Sequence, residues 1–279
     1  MTLFVMLVVL IGAMCHASWN VLVKSSTDKM LDTAIIHLLC SLFAIPFCLG
    51  LGFPQAASWP YLALSLLIHI GYYFALAQAY HHGDLGLTYP LMRGVAPLLV
   101  ALGSLIFMDG PTLSMLGWIG VALICTGVLS LGLSAGLFQH RRAILIALMN
   151  SAIIASFTLV DAMGVRASQN PPQYIAAVLA LDGWAFGLWV LFIRRKRVVD
   201  YVKTRWLMAL GGAVASTGSY SIALWAVSVA PVAAVAALRE SSVLFAVLLG
   251  AFFLKERLTP RRVLAVVVMV MGAVALRLA

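Results

Sequence analysis

The feature that most constrains this chain is a succession of long apolar runs separated by only a few residues. A helix needs roughly 20 apolar residues to cross the hydrocarbon core of a bilayer. Ten such runs can be drawn here: 2–23, 31–52, 58–80, 85–108, 112–134, 143–165, 173–193, 206–228, 231–254 and 260–278. Turn-forming residues punctuate them, as in Ser25-Ser26-Thr27-Asp28, Phe53-Pro54, His81-His82-Gly83-Asp84, Asp109-Gly110-Pro111, Asn170-Pro171-Pro172 and Thr259-Pro260. The runs are continuous rather than alternating and too long for barrel strands of ~10 residues. The expected fold class is therefore an all-α integral membrane protein of ten transmembrane helices. With 63% hydrophobic residues, 10% charged residues and a mean hydropathy of +1.06, the chain leaves no length for a separate soluble domain.

Charge sits at the ends of the runs. The net charge of +9 comes from short clusters there, which set topology and do not mark a nucleic-acid partner. Fourteen of the 18 lysines and arginines fall on one side, among them Lys24, Lys29, Arg141, Arg142, the cluster from Arg194 to Arg205, and the group from Lys255 to Arg262. Only Arg166 and Arg277 fall on the other. The positive-inside rule places the heavy side in the cytoplasm and both termini outside. Met1 to Ala17 lacks the basic start of a signal peptide and its apolar run continues through Val23, so it reads as a retained first helix. The cysteines Cys15, Cys40, Cys48 and Cys125 lie inside apolar runs without metal-ligand spacing; no metal or cofactor is expected.

The chain repeats itself weakly. Ala17-Ser18-Trp19-Asn20 in the first run resembles Ala155-Ser156-Phe157-Thr158 in the sixth. Leu91-Met92-Arg93 in the fourth resembles Ala237-Leu238-Arg239 in the ninth, and Gly127 and Gly272 hold matching places in the fifth and tenth. Five helices per repeat is an odd number, so the halves, residues 1–136 and 143–279, are expected to lie in opposite orientations. Inverted repeats of this kind place a binding site near the midplane between them. The polar residues do not repeat: Glu240 aligns with Gly94, and Asp161 with Val23.

Ionisable groups inside membrane spans are expensive and mark sites or pathways. Arg93, Asp161, Asp182, Arg239 and Glu240 qualify. Arg93 and Arg239 suit either recognition of a planar anion or a structural ion pair. Pro90, Gly94 and Pro97 around Arg93 suggest a bent or broken helix. Glu240 fits either a protonatable coupling group or a salt bridge to Arg93. Asp161, near a helix end, fits a hydrogen-bonding role between helices and is also a coupling candidate. His16, Trp19 and Asn20 share one helix face, as do His69, Tyr72 and Tyr73, and again Ser216, Ser219 and Tyr220. These groups look like site walls or ordinary aromatic packing. Gly132/Gly136 and Gly183/Gly187 fit close helix crossings.

The motifs His16-Ala17-Ser18-Trp19-Asn20 with Lys24, Thr158-Leu159-Val160-Asp161 with Gly164 and Arg166, and Leu254-Lys255-Glu256-Arg257-Leu258 resemble those of EamA-like transporters of the drug/metabolite transporter superfamily. The resemblance runs along essentially the whole chain. It implies a 5 + 5 inverted-repeat fold around a central cavity. It also implies movement of amino acids, amines or similar small metabolites across a bacterial inner membrane. Family members commonly have cytoplasmic termini, opposite to the charge count. Met108-Asp109-Gly110 departs from the family's usual ending of the fourth helix. The expected function is a secondary transporter moving a small organic metabolite by alternating access, with protons as a candidate coupling ion. His16, Trp19, Asn20, Tyr73, Arg93, Tyr220 and Arg239 are the expected substrate-binding residues, and Glu240 and Asp161 the coupling residues. The alternative is a membrane enzyme acting on a lipid-linked substrate, which would need polar groups at the interface rather than at mid-depth.

Overall fold

The computed structural model describes residues 1–82, 85–108, 113–132, 141–253 and 259–279, with side chains for all of these except 74, 76–82, 85–88, 250, 252 and 253. The His81-to-Asp84 and Asp109-to-Pro111 turns, Gly136 and the Leu254-to-Leu258 motif thus lie wholly or partly outside the described residues. The described regular structure is helical: α1 (Leu3–Lys24), α2 (Lys29–Leu51), α3 (Trp59–His82), α4 (Leu85–Phe107), α5 (Met115–Gly132), α6 (Arg141–Ala167), α7 (Pro171–Ile193), α8 (Arg195–Val229), α9 (Val232–Arg239), α10 (Ser241–Phe253) and α11 (Pro260–Leu278), with a 3-10 turn at Ala56–Ser58.

Capping residues start several of these helices where the sequence breaks. Thr2, Asp28, Asn170 and Thr259 each accept a backbone N–H three residues on, and Pro171 and Pro260 follow in the first turn. Among the described residues, eight segments are long and apolar enough to cross a membrane: Leu3–Lys24, Lys29–Leu51, Tyr89–Phe107, Met115–Gly132, Arg141–Ala167, Pro171–Ile193, Arg195–Val229 and Val232–Leu249. The third expected span is α3, whose last side chains lie outside the described set. The tenth is α11, which has 19 residues and carries Arg261 and Arg262 in its first turn.

Two expectations are corrected. The eighth span, drawn as 206–228, belongs to a helix of 35 residues that begins at Arg195. Its first turns are strongly basic and not apolar, so hydropathy alone misses them. A bent or broken helix was expected around Arg93, and the break is not there. Instead α4 is assigned as one helix with Pro90 and Pro97 inside it, and the interruption falls in the ninth span between Arg239 and Ser241. There the Glu240 N–H reaches back to the carbonyls of Ala237 and Leu238, and the Val243 N–H to Glu240. This is a tightened turn of the 3-10 kind, without proline or glycine, which often marks a functional hinge.

The outer faces are apolar. Phe4, Leu7 and Ile11 on α1, Phe47 on α2, Ile106 on α4 and Leu264 and Met271 on α11 are exposed and suit lipid contact. The inner contacts are made by small residues that let backbones approach. Gly183 brings α7 against the His37 carbonyl of α2, and Gly187 receives Leu38. Ser41 fastens this crossing, donating to the Leu179 carbonyl at 2.8 Å and accepting from the Gly183 N–H at 3.0 Å. Gly120 and Gly127 of α5 meet Gly272 and Met269 of α11 in the same way. The main helix partners are α5 with α11, α2 with α7, α1 with α8, α3 with α6, α4 with α6 and α5, and α1 with α10.

The two ends differ in charge. At one, Arg197 meets Asp28 at 3.2 Å, and buried Asp32 accepts from Tyr201 and from Arg205 at 3.2 Å. This joins the α1–α2 connection to the start of α8. At the other end Arg166 donates to the carbonyls of Val227 and Ala230 at 3.0 and 3.2 Å, and Arg277 lies 3.5 Å from the Met1 carbonyl. Both termini therefore meet on the face opposite the basic cluster.

Candidate functional site

Two polar groups lie inside the helix assembly. The first forms at the interruption of the ninth span. Arg93 of α4 places Nε 2.8 Å from Glu240 Oε2, and both residues are buried. The approach lies off the N–H direction, so this is a close ion pair rather than an aligned hydrogen bond. Arg93 also points an amino group at Ser242 Oγ, 3.5 Å away. The neighbouring Arg239 ends α9 and is half-buried. Its charge acts on Arg93 and Glu240, but among the described residues the ion pairs leave Arg239 without a carboxylate partner. His16 lies within electrostatic reach of both arginines, and Tyr72 within reach of both and of Glu240. An arginine whose neighbour is already paired, set at a break in a helix, can take an anionic group with its planar fork.

The second group is a chain of rings and carboxylates. Asp161 of α6 is 1% exposed and accepts from two phenols, Tyr174 at 3.1 Å and Tyr220. Two donors satisfy a buried carboxylate without an ion pair. Gly164, one turn after Asp161, lets the Tyr174 ring lie against α6, because a Cβ there would run into the phenol. The Tyr220 hydroxyl is also 3.5 Å from His69 Nε2. His69 Nδ1 faces the Ser65 carbonyl at 2.9 Å, and its ring stacks on Phe157 with centroids 4.3 Å apart. The same Nδ1 stands 3.9 Å from Asp182 Oδ1 of α7. The other Asp182 oxygen accepts from Tyr73 at 2.7 Å and lies 3.7 Å from His37 Nδ1. Tyr73 touches His37 at 3.0 Å and stacks on Phe186. His37 in turn meets the edge of Trp19, whose indole donates to His16 Nδ1 at 3.3 Å.

The arrangement brings most of the sequence-derived candidates together. Arg93, Glu240, Arg239 and His16 gather around the first group, and Asp161, Tyr220, Tyr73 and Trp19 in the second. Asn20 behaves differently: its amide donates to the His16 carbonyl on its own helix at 2.7 Å. His37, Ser65 and Tyr174 were absent from the sequence-based set, and Asp182 had no partner there. A histidine inside the apolar 31–52 run was the signal for His37. Nothing in the local sequence pointed to Tyr174, whose role depends on the α6–α7 approach.

A model of the EamA-like transporter family matches residues 141–278. These residues belong to the EamA-like transporter family. The family sits within the drug/metabolite transporter superfamily. The EamA-like match and the membrane-length helices together support a membrane transporter, and a multi-pass membrane location. No curated protein matches the sequence. A solved structure, described only as the crystal structure of a protein, resembles the whole chain in fold, with a TM-score of 0.78 at 17% identity over 100% of this chain and 98% of the other. The EamA-like half contains Asp161, Asp182, Tyr220, Arg239 and Glu240; Arg93, His69 and His16 lie before it.

Proposed function

We propose that this chain is a secondary transporter of the bacterial inner membrane that moves a small organic metabolite bearing an anionic group, such as an amino acid or organic acid, by alternating access. The observation that carries this reading is the Arg239 guanidinium. It stands at the interruption of the ninth span, while the Glu240 carboxylate beside it is engaged by Arg93. His16, Trp19, Tyr73 and Tyr220 would shape the surrounding pocket. Glu240 and Asp161 are the carboxylates available for coupling to protons.

The helix partners support two inverted halves, 1–136 and 143–279, as the moving bodies. Advancing every span by five turns the α1–α8 contact into α6–α3, and the α4–α6 contact into that of the ninth span with α1. The α2–α7 and α5–α11 contacts map onto themselves. Such a contact set is what a two-fold relation between halves requires, and rocking of one half on the other is how repeats of this kind alternate access. Arg93, Asp182, Arg239 and Glu240 lie well inside their spans, where a carrier holds its substrate and where an enzyme acting at the headgroup level would not.

The test is counterflow in proteoliposomes, using labelled mixtures of amino acids, amines and organic acids. Arg239→Ala is expected to abolish counterflow of the anionic component while keeping a melting temperature close to that of the parent. Unchanged counterflow in that variant removes Arg239 from the site.

A further inference from the structure

The chain of rings from Asp161 to His37 does more than pack helices, because it runs along the membrane normal. Asp161 lies six residues from the end of α6 away from the basic cluster, about 9 Å along the axis. Asp182 is the twelfth of the 23 residues of α7 and sits at its middle. His37 lies eight residues from the opposite end of α2, about 12 Å. Five helices, α2, α3, α6, α7 and α8, thus place proton-bearing groups in sequence across the central part of the protein's depth. His69 is the centre of the series. With Nδ1–H on the Ser65 carbonyl at 2.9 Å, its Nε2 faces the Tyr220 hydroxyl at 3.5 Å, whose one proton goes to Asp161 or, when Asp161 is protonated, to the imidazole. The widest step is 3.9 Å, from His69 Nδ1 to Asp182 Oδ1, and that buried oxygen has no hydrogen-bond partner among the described residues. A second proton on His69 would place a cation between two carboxylates, within reach of both.

We infer that Asp161, His69 and Asp182, with Tyr220 between the first two and Tyr73 leading on from Asp182 to His37, form a proton relay that carries the coupling proton without using the Arg93–Glu240 pair. The inference rests on the transporter reading and names its coupling groups. The proton enters at one carboxylate, is held on the imidazole and leaves through the other, with no covalent change. The titratable groups facing the relay are Tyr174 and Asp182 of α7, Tyr220 of α8, His37 and Cys40 of α2, Tyr73 of α3 and Asp161 of α6. Arg239 adds a positive charge within electrostatic reach of Asp161. The Trp19 and His16 rings continue the series from His37 to the arginines. Occupation of the arginine site can therefore be felt along the relay.

The first measurement needs no substrate. Purified protein in nanodiscs is taken from mildly alkaline to mildly acidic pH, over the whole range in which it stays folded, and the protons bound are counted with an indicator dye. The parent protein is expected to bind about one proton more than His69→Gln, and more than the isosteric Asp182→Asn. Equal counts in all three overturn the relay. The second measurement uses proteoliposomes and a labelled amino-acid and organic-acid mixture. At equal pH on both sides, Asp182→Asn and His69→Gln are expected to retain counterflow. Under a pH gradient they are expected to lose at least tenfold of the accumulation seen with the parent. Parent-like accumulation in both variants overturns the relay and leaves transport standing. A parent protein without counterflow of any component removes the transporter reading, and the proton count still decides whether the relay exists.

Discussion

Arg93 Nε and Glu240 Oε2 stand 2.8 Å apart across the join between the first and second halves of the chain, at the turn where the ninth span is interrupted. A buried pair of this kind gains little over an apolar replacement, but losing one partner leaves an uncompensated charge. Glu240→Leu and Arg93→Met are each expected to destabilise the protein by about 3 kcal/mol. The double variant Arg93→Met/Glu240→Leu is expected to recover most of the loss. A double-mutant cycle of thermal or denaturant melts in detergent checks this; additive effects would mean that the two residues do not act as a pair.

Gly183 and Gly211 give a matched comparison. A methyl group at Gly183 runs into the His37 backbone carbonyl and Ser41, which cannot yield without parting α2 from α7. Around Gly211 nothing lies within 4 Å of the added carbon. Gly183→Ala is expected to lower stability by about 1–3 kcal/mol through overpacking. Gly211→Ala is expected to be neutral or to stabilise by up to about 1 kcal/mol, because it restricts the unfolded chain. Melting temperatures of the two variants, measured side by side, decide it.

Gly164 supports the relay in a different way. Its missing side chain gives the Tyr174 ring its place, and Tyr174 is one of the two donors to Asp161. Gly164→Ala should displace the ring and leave Asp161 with one phenol in place of two. Tyr174→Phe removes the same donor without the clash. The expected loss for Tyr174→Phe is about 1–3 kcal/mol, the cost of unpairing a buried acceptor. Gly164→Ala should cost more than that, and equal melting temperatures for the two would show that the ring accommodates the methyl group.

On the basic face, Asp32 and Asp28 should respond unequally. Asp32 is 2% exposed and receives both Tyr201 and Arg205. The Arg197 side chain that meets Asp28 is 66% exposed. Arg197→Ala is expected to change stability by less than about 1 kcal/mol, and that change to vanish in high salt. Asp32→Asn is expected to cost several-fold more and to persist in salt. Melts at low and high ionic strength separate the two.

Much of this molecule was legible in its sequence. The apolar runs marked where helices lie to within a few residues, because a spanning helix must satisfy every backbone group internally and face lipid with carbon. Asp28, Asn170 and Thr259 marked the helix starts for the same local reason. Gly183 and Gly187 announced a close crossing, although the partner, α2, could not be named. Where length and apolarity were not the deciding terms, the reading fell short. The basic first turns of α8 look like a loop by hydropathy. The interruption of the ninth span carries no proline or glycine, whereas the fourth has both and is assigned as a single helix.

The polar interior divides in the same way. That Arg93, Asp161, Asp182, Arg239 and Glu240 matter follows from the cost of charge at membrane depth, which is a property of each residue and is visible in a string of letters. Which of them pair is a property of distances between helices. Glu240 went to Arg93 and not to Arg239, Asp161 went to two phenols, and Asp182 found His69, Tyr73 and His37. Those choices depend on helix rotation and on glycine-sized gaps between non-adjacent spans. Sequence alone determined a chain of membrane helices with costly groups inside. Only the tertiary structure decided which arginine paired with Glu240, because contacts between residues more than a hundred positions apart are set by packing and not by local pattern.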